Sequence, residues 1–198
     1  TRLSWSATIQ KRIADSEYKL RGEQGRYQAV NRAQNFHILL DAQGLQLTSK
    51  GGGNWQLGLR LVSWGRPGRL KAIGLVEPAP GPCGNSGAVD EFGDCLRRMD
   101  AHHQDIIEWW QNDSRGLEHG WTIVEPPRGD KGLVLDLAVS GMDIEIDDER
   151  SALLTSPTGE QLRYGGLVAF DAEGRHLSAT MTRHEAGLRI LIDDNGAS

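Results

Sequence analysis

The chain has 198 residues and a formal net charge of −5, a balance that argues against a surface built to neutralise nucleic-acid phosphates. Hydrophobic residues make up 38% of the chain and charged residues 25%, so it is neither a disordered tail nor a membrane span: no apolar run approaches the roughly 20 residues a bilayer crossing needs. The length suits one domain over 1–198, and the 25 glycines favour short strands joined by tight turns.

In chain order, Trp5, Ile9 and Ile13 stand four apart among Lys11, Arg12 and Asp15, the spacing of a short amphipathic helix over residues 1–16 that Ser4 can cap. A weak hairpin follows, with segments 17–21 and 26–30 around the turn 22–25. Segments 36–40 and 45–48 flank Ala42-Gln43-Gly44 and read as a second hairpin. Trp55, Leu57, Leu59, Leu61 and Ser63 alternate with Gln56, Gly58, Arg60, Val62 and Trp64, which predicts a strand with one apolar face.

Pro67-Gly68 turns the chain, and Leu70, Ala72, Gly74 and Val76 can return beside that strand. Residues 77–95, opening on Pro78-Ala79-Pro80-Gly81-Pro82, read as a surface loop insertion. The segment 96–112 fits helical spacing through Leu96, Met99, His103, Ile106 and Trp110, whereas 105–111 fits a strand equally well. Beyond Gly116, short strands recur at 121–124, 132–139, 143–146, 153–154, 161–164, 167–170, 176–182 and 188–192, punctuated by glycines.

Short strands joined by glycine turns, without long helices between them, predict antiparallel pairing. The expected fold is therefore all-β, mainly antiparallel, a two-sheet β sandwich with a short N-terminal helix. Cys83 and Cys95 bracket a polar, turn-rich segment that a disulfide would close, at a gain of roughly 3 kcal/mol on chain-entropy grounds. The alternative is two unpaired thiols, since neither cysteine stands in a Cys-x-x-Cys or His-rich metal pattern. A disulfide implies an oxidising compartment, secreted or at the cell surface. The first residues lack the charged-then-apolar pattern of a leader, which leaves a cytosolic chain and a mature exported one equally open from the start alone.

The residues Glu108-Trp109-Trp110-Gln111-Asn112, Gly116-Leu117-Glu118-His119-Gly120-Trp121 and Pro126-Pro127 form an ordered set. Tyr164-Gly165-Gly166-Leu167, Phe170-Asp171-Ala172-Glu173-Gly174-Arg175 and Ile192-Asp193-Asp194-Asn195-Gly196-Ala197 continue it. Together they resemble the N-terminal region of large secreted bacterial proteins that carry FG-GAP or β-propeller-type repeats downstream. The resemblance spans most of the chain. It implies export, a strand around Trp109, and downstream domains of the same polypeptide as partners. The Cys83–Cys95 loop is not part of the pattern, and the family region brings no activity to transfer.

The densest set of catalytic-type side chains is His102, His103, Asp105 and Glu108. On a helix, His102, Asp105 and Glu108 would share a face and could serve metal binding or acid–base work on a glycan; a solvated polar surface is the plainer reading. The adjacent histidines lack the spacing of a zinc helix. Acidic groups recur at Asp90, Glu91 and Asp94, at Asp143, Glu145, Asp147, Asp148 and Glu149, and at Asp193-Asp194. Calcium takes six to eight oxygen ligands, so Asp90, Glu91 and Asp94 in the loop are the favoured candidate calcium ligands, against a solvated acidic turn. No other cofactor is expected.

Six tryptophans stand against three Phe and three Tyr, which makes Trp109, Trp110 and Trp64 candidate glycan contacts, with core filling as the commoner fate. No Gly-x-Ser-x-Gly elbow or phosphate loop is present. The expected function is a non-catalytic extracellular module that supports presentation of downstream domains and binds protein or glycan; the alternative is a polysaccharide-active enzyme domain using Asp105 and Glu108. If the cysteines pair, thiol labelling of the unreduced, denatured protein yields no adduct and reduction yields two, and two adducts without reductant would reject the bridge.

Overall fold

The computed structural model describes residues 18–81, 97–129 and 132–197. The expected helix over 1–16, Cys83 and Cys95, and the candidate calcium ligands Asp90, Glu91 and Asp94 lie outside the described residues. Among the described residues there is no helix, and the strand pairs within each unit are antiparallel. The chain clusters into two compact units, each built from two separated segments.

The first unit takes Thr1–Gly52 and Val76–Val124. Its first sheet is a meander of β1 (Arg21–Glu23), β2 (Arg26–Asn31), β3 (Phe36–Asp41) and β4 (Gly44–Ser49). Tyr27 and Ala29, Phe36, Ile38 and Leu40, and Leu45 and Leu47 are buried at alternate positions, so one face of the meander is core and the other is open. The second sheet runs β7 (Ala79–Pro80), β8 (Arg98–His103), β9 (Ile106–Asp113) and β10 (Gly116–Ile123) in the order β10-β9-β8-β7. Within the segment 96–112, open between helix and strand in sequence, residues 98–103 and 106–112 are thus two strands of a hairpin. Ile106, Glu108, Trp110 and Asn112 are the buried alternates of β9.

A satisfied amide network joins the two sheets. Asn31 Nδ2 donates to Asn112 Oδ1 at 2.8 Å and to the Asp113 carbonyl at 2.8 Å, while Asn112 Nδ2 donates to the Tyr18 carbonyl at 3.0 Å. Asn31 Oδ1 in turn accepts the Gln34 N–H at 2.9 Å. Both asparagines are fully buried, so each missing bond would leave an unpaired polar group at a cost of about 1–3 kcal/mol.

The second unit takes Gly53–Leu75 and Glu125–Ser198. Here β5 (Gln56–Arg66) pairs with β6 (Arg69–Ala72) on one side and β11 (Leu133–Ser140) on the other. The sheet continues through β17 (Gly187–Asp193) and β16 (His176–His184) to β15 (Ala169–Phe170). A separate three-stranded sheet is made of β12 (Asp143–Asp148), β13 (Ser151–Thr155) and β14 (Gln161–Gly165). Gly141, with φ of 81°, sits where the chain leaves β11 for β12; a side chain there would strike the Gln56 carbonyl.

A bulge in β5 changes the face on which Trp64 lies. The pairing of β5 with β11 runs Leu61 to Leu137 and then Ser63 to Asp136, so Val62 is the extra residue. Leu57, Leu59 and Leu61 point to the core, and after the bulge so does Trp64, which is 2% exposed. Strict alternation places Trp64 with the polar residues; the added residue reverses that.

Asp136 on β11 anchors the polar row beside this bulge. Arg189 on β17 donates to both its oxygens at 2.7 and 2.9 Å, and the Ser63 hydroxyl donates at 2.9 Å from β5. Burial would raise the Asp136 pKa, but the Arg189 and Ser63 hydrogen bonds and the Arg189 charge outweigh it and hold the carboxyl below its ordinary value. A three-strand, largely desolvated carboxylate differs from the Arg163 pairs with Asp147 and Asp148, where Arg163 is 61% exposed. Asp136→Ala should therefore cost about 3 kcal/mol by urea unfolding and Arg163→Ala less than about 1 kcal/mol. Equal midpoints for the two variants would contradict that assignment.

Candidate functional site

Strand geometry separates the sequence-selected residues. His102 and His103 are neighbours on β8 and so face opposite sides of the sheet: His102 is exposed, and the His103 side chain is 7% exposed. Gln104 and Asp105 form the two-residue turn between β8 and β9, with Gln104 at φ 55° and the Asp105 carbonyl accepting the Val124 N–H at 2.7 Å. The shared helical face for His102, Asp105 and Glu108 does not exist, because a hairpin reverses the chain between them.

Glu108 is instead joined by a residue that the sequence reading did not select. Its Oε1 lies 2.8 Å from His119 Nε2, and its Oε2 lies 3.4 Å from His103 Nε2. The register explains the meeting: Glu108 stands opposite Ala101 on β8 and Trp121 on β10, so His103 and His119 are its diagonal neighbours on the same face. His119 is held between two indoles, its ring stacked on Trp110 at 5.5 Å and tilted against Trp121 at 4.4 Å. His103 Nδ1, Trp110 Nε1 and Trp121 Nε1 are buried and make no hydrogen bond among the described residues, so the carboxylate's partners are the two imidazoles and not the indoles.

Burial pushes the Glu108 carboxyl up, but hydrogen bonds from His103 and His119, with the positive charge those rings carry when protonated, bring it down to about 2. Among the described residues no group of three or more His, Cys, Asp or Glu side chains could hold a metal ion. The two Nε2 atoms face the carboxylate oxygens, which makes the trio a hydrogen-bonded cluster around a buried carboxylate.

The tryptophans divide in the same way. Trp64 and Trp110 are 2% and 1% exposed and present no ring face to a ligand. Trp109 lies on the outer side of β9, half-buried, with the Arg98 guanidinium 4.7 Å from its ring centroid and the ring packed over Gly120 on β10. A side chain at Gly120 would occupy the space of the Trp109 ring, a reason for glycine at that position of the Gly116–Trp121 motif. Arg98 is itself fixed by Asp100 at 2.7 Å. The motif at Phe170–Arg175 is likewise structural: Asp171 Oδ1 accepts the N–H groups of Glu173 and Arg175 at 3.0 and 2.9 Å, closing the turn.

The open ground in the first unit lies on the outer face of the β1–β4 meander. A concavity of about 800 Å³ is lined there by Arg21, Gln28, His37, Gln46, Thr48 and Lys50, with Lys19 and Arg32 beside them. The sequence signal for it is local: residues 18–50 carry five Lys and Arg against two carboxylates, a sign that the chain total of −5 conceals. Comparison with family models, curated proteins and solved structures gave no match for the chain. None of the helices among the described residues could cross a membrane, there being none.

The Glu108 pKa has a defined consequence for stability. A carboxyl lowered from 4.5 to about 2 contributes stability that is complete above about pH 4.5 and is lost as pH falls toward 2. The linked loss is about 3 kcal/mol. Glu108→Gln, already neutral, should be less stable than the parent at pH 6 and converge with it near pH 2 in thermal melts. Parallel curves for the two proteins across that range would exclude an ionised Glu108 as their source.

Proposed function

We propose that this chain is a non-catalytic β-sandwich module of a larger exported protein, corresponding to the N-terminal region of secreted bacterial proteins with FG-GAP or β-propeller-type repeats downstream. In this role it supports the presentation of those downstream domains and offers an open sheet face to a glycan or protein. Its sheets are one-sided, with a buried and an open face, which is the sidedness a sandwich requires.

The observation that carries the reading is the state of Glu108. Glycoside cleavage needs one carboxyl that stays protonated to act as acid, at a group the substrate can reach. Glu108 is 3% exposed, closed in by two histidines, and lowered to about 2. Asp105, its partner in the enzymatic alternative, belongs to the tight turn of the hairpin and cannot supply both roles.

A panel of plant, bacterial and animal polysaccharides incubated with the protein should release no reducing ends. Glu108→Gln combined with Asp105→Ala should leave ligand binding unchanged in any folded preparation. Release of reducing ends by the parent that disappears in the double variant would establish the enzyme instead.

A further inference from the structure

The outer face of β1–β4 is an ordered grid. Cross-strand pairing lines up Arg21, Gln28, Leu39 and Gln46 in one row, and Val30, His37 and Thr48 in the next. With strands roughly 4.8 Å apart, the four-member row spans about 14 Å across the sheet, and the rows are separated by roughly 7 Å. Arg21 closes one end of the first row; Arg32 and Lys50 follow Val30 and Thr48 by two residues, one step beyond the second row. Arg21, Gln28, His37, Thr48 and Lys50 are all exposed.

Two features of this face decide what it could hold. Its charge is of one sign: among the described residues the lining contains no carboxylate. It is also a sheet face and not an edge, so the backbone N–H and C=O groups of β2 and β3 are committed to their ladders. An extended peptide binds an edge through those groups, and here they are taken. Recognition must come from side chains, and the ones present are amides, a hydroxyl and an imidazole between cations.

That set matches a ligand with many hydroxyl groups and repeated negative charge. The described lining has no aromatic platform other than His37, so neither neutral sugar rings nor unstacked bases find the stacking surfaces they use. We propose that the β1–β4 face binds an anionic polysaccharide, with Arg21 and Lys50 contacting its carboxylate or sulfate groups and Gln28, His37 and Thr48 its hydroxyls. The inference rests on the non-catalytic reading above and names the ligand class for it.

The test is titration of the whole chain by calorimetry with polygalacturonate and dextran sulfate, alongside neutral dextran, poly-L-glutamate and a single-stranded DNA oligonucleotide. Binding to at least one of the two anionic polysaccharides, weakened by salt and absent for neutral dextran, is expected. Arg21→Glu with Lys50→Glu should reduce the affinity by roughly tenfold or more, the scale of two lost charge-assisted contacts. Both side chains are exposed, so melting should be unchanged, and Arg163→Glu in the second unit should retain parental affinity.

No binding to either anionic polysaccharide overturns the proposal, as does binding that survives the double charge reversal. Equal or tighter binding of poly-L-glutamate or DNA also overturns it. Release of reducing ends, followed in the same samples, would reject the non-catalytic reading separately, because it is scored independently of affinity.

Discussion

A polar group on the buried side of a β-sheet has to find its partners inside the protein, and in the first unit that requirement fixes the positions of the inward side chains. In the first unit Asn31 and Asn112 meet the requirement by bonding each other and two backbone carbonyls. Glu108 meets it through His103 and His119. In the second unit Asp136, on the face of β11 opposite Leu135 and Leu137, is held by Arg189 and Ser63. Each set reaches across two or more strands, so each also pins register: a slip of one residue would carry the group to the opposite face and leave its partners unpaired.

The same requirement explains why the most chemically suggestive residues of the chain do not form a reactive centre. A carboxylate flanked by two histidines is a familiar catalytic composition. Here each oxygen has an imidazole partner, the His119 ring is packed against two indoles, and the group stays ionised down to about pH 2. Trp109 follows a parallel course, its faces taken by Arg98 and Gly120. Side chains consumed by internal partners are unavailable to ligands, and the ligand-facing residues are to be sought where the pairing stops. In the first unit that is the basic outer face of β1–β4, beside which the chain's overall negative charge is a poor guide, since attraction at contact depends on nearby charges within a Debye length of roughly 8–10 Å.

The residues around Asp105 mark the limit of what periodicity could settle. Leu96 to Trp110 follow helical spacing, yet the chain turns at Gln104-Asp105 and β8 pairs with β9. Helical and strand periods coincide over a few residues, and only the partner strand distinguishes them. Val62 marks a second limit. One extra residue in β5 sends Trp64 into the core, and nothing in the alternation of Leu57, Leu59 and Leu61 announces where the bulge will fall. His119 was missed because its link to Glu108 spans eleven residues and exists only through the β9–β10 register.

The sequence by itself determined the strand-rich character of this protein, the sites of most turns and the apolar alternates of the first half of β5, because side-chain period and glycine placement are local properties. Only the tertiary structure decided that Glu108 belongs with His103 and His119, that Trp64 and Trp110 are core, that the contacts form two units, and that Arg21, His37 and Lys50 share one open face. Those outcomes depend on which strands become neighbours and in what register, and that choice is made by the burial and hydrogen-bond satisfaction of the assembled sheets.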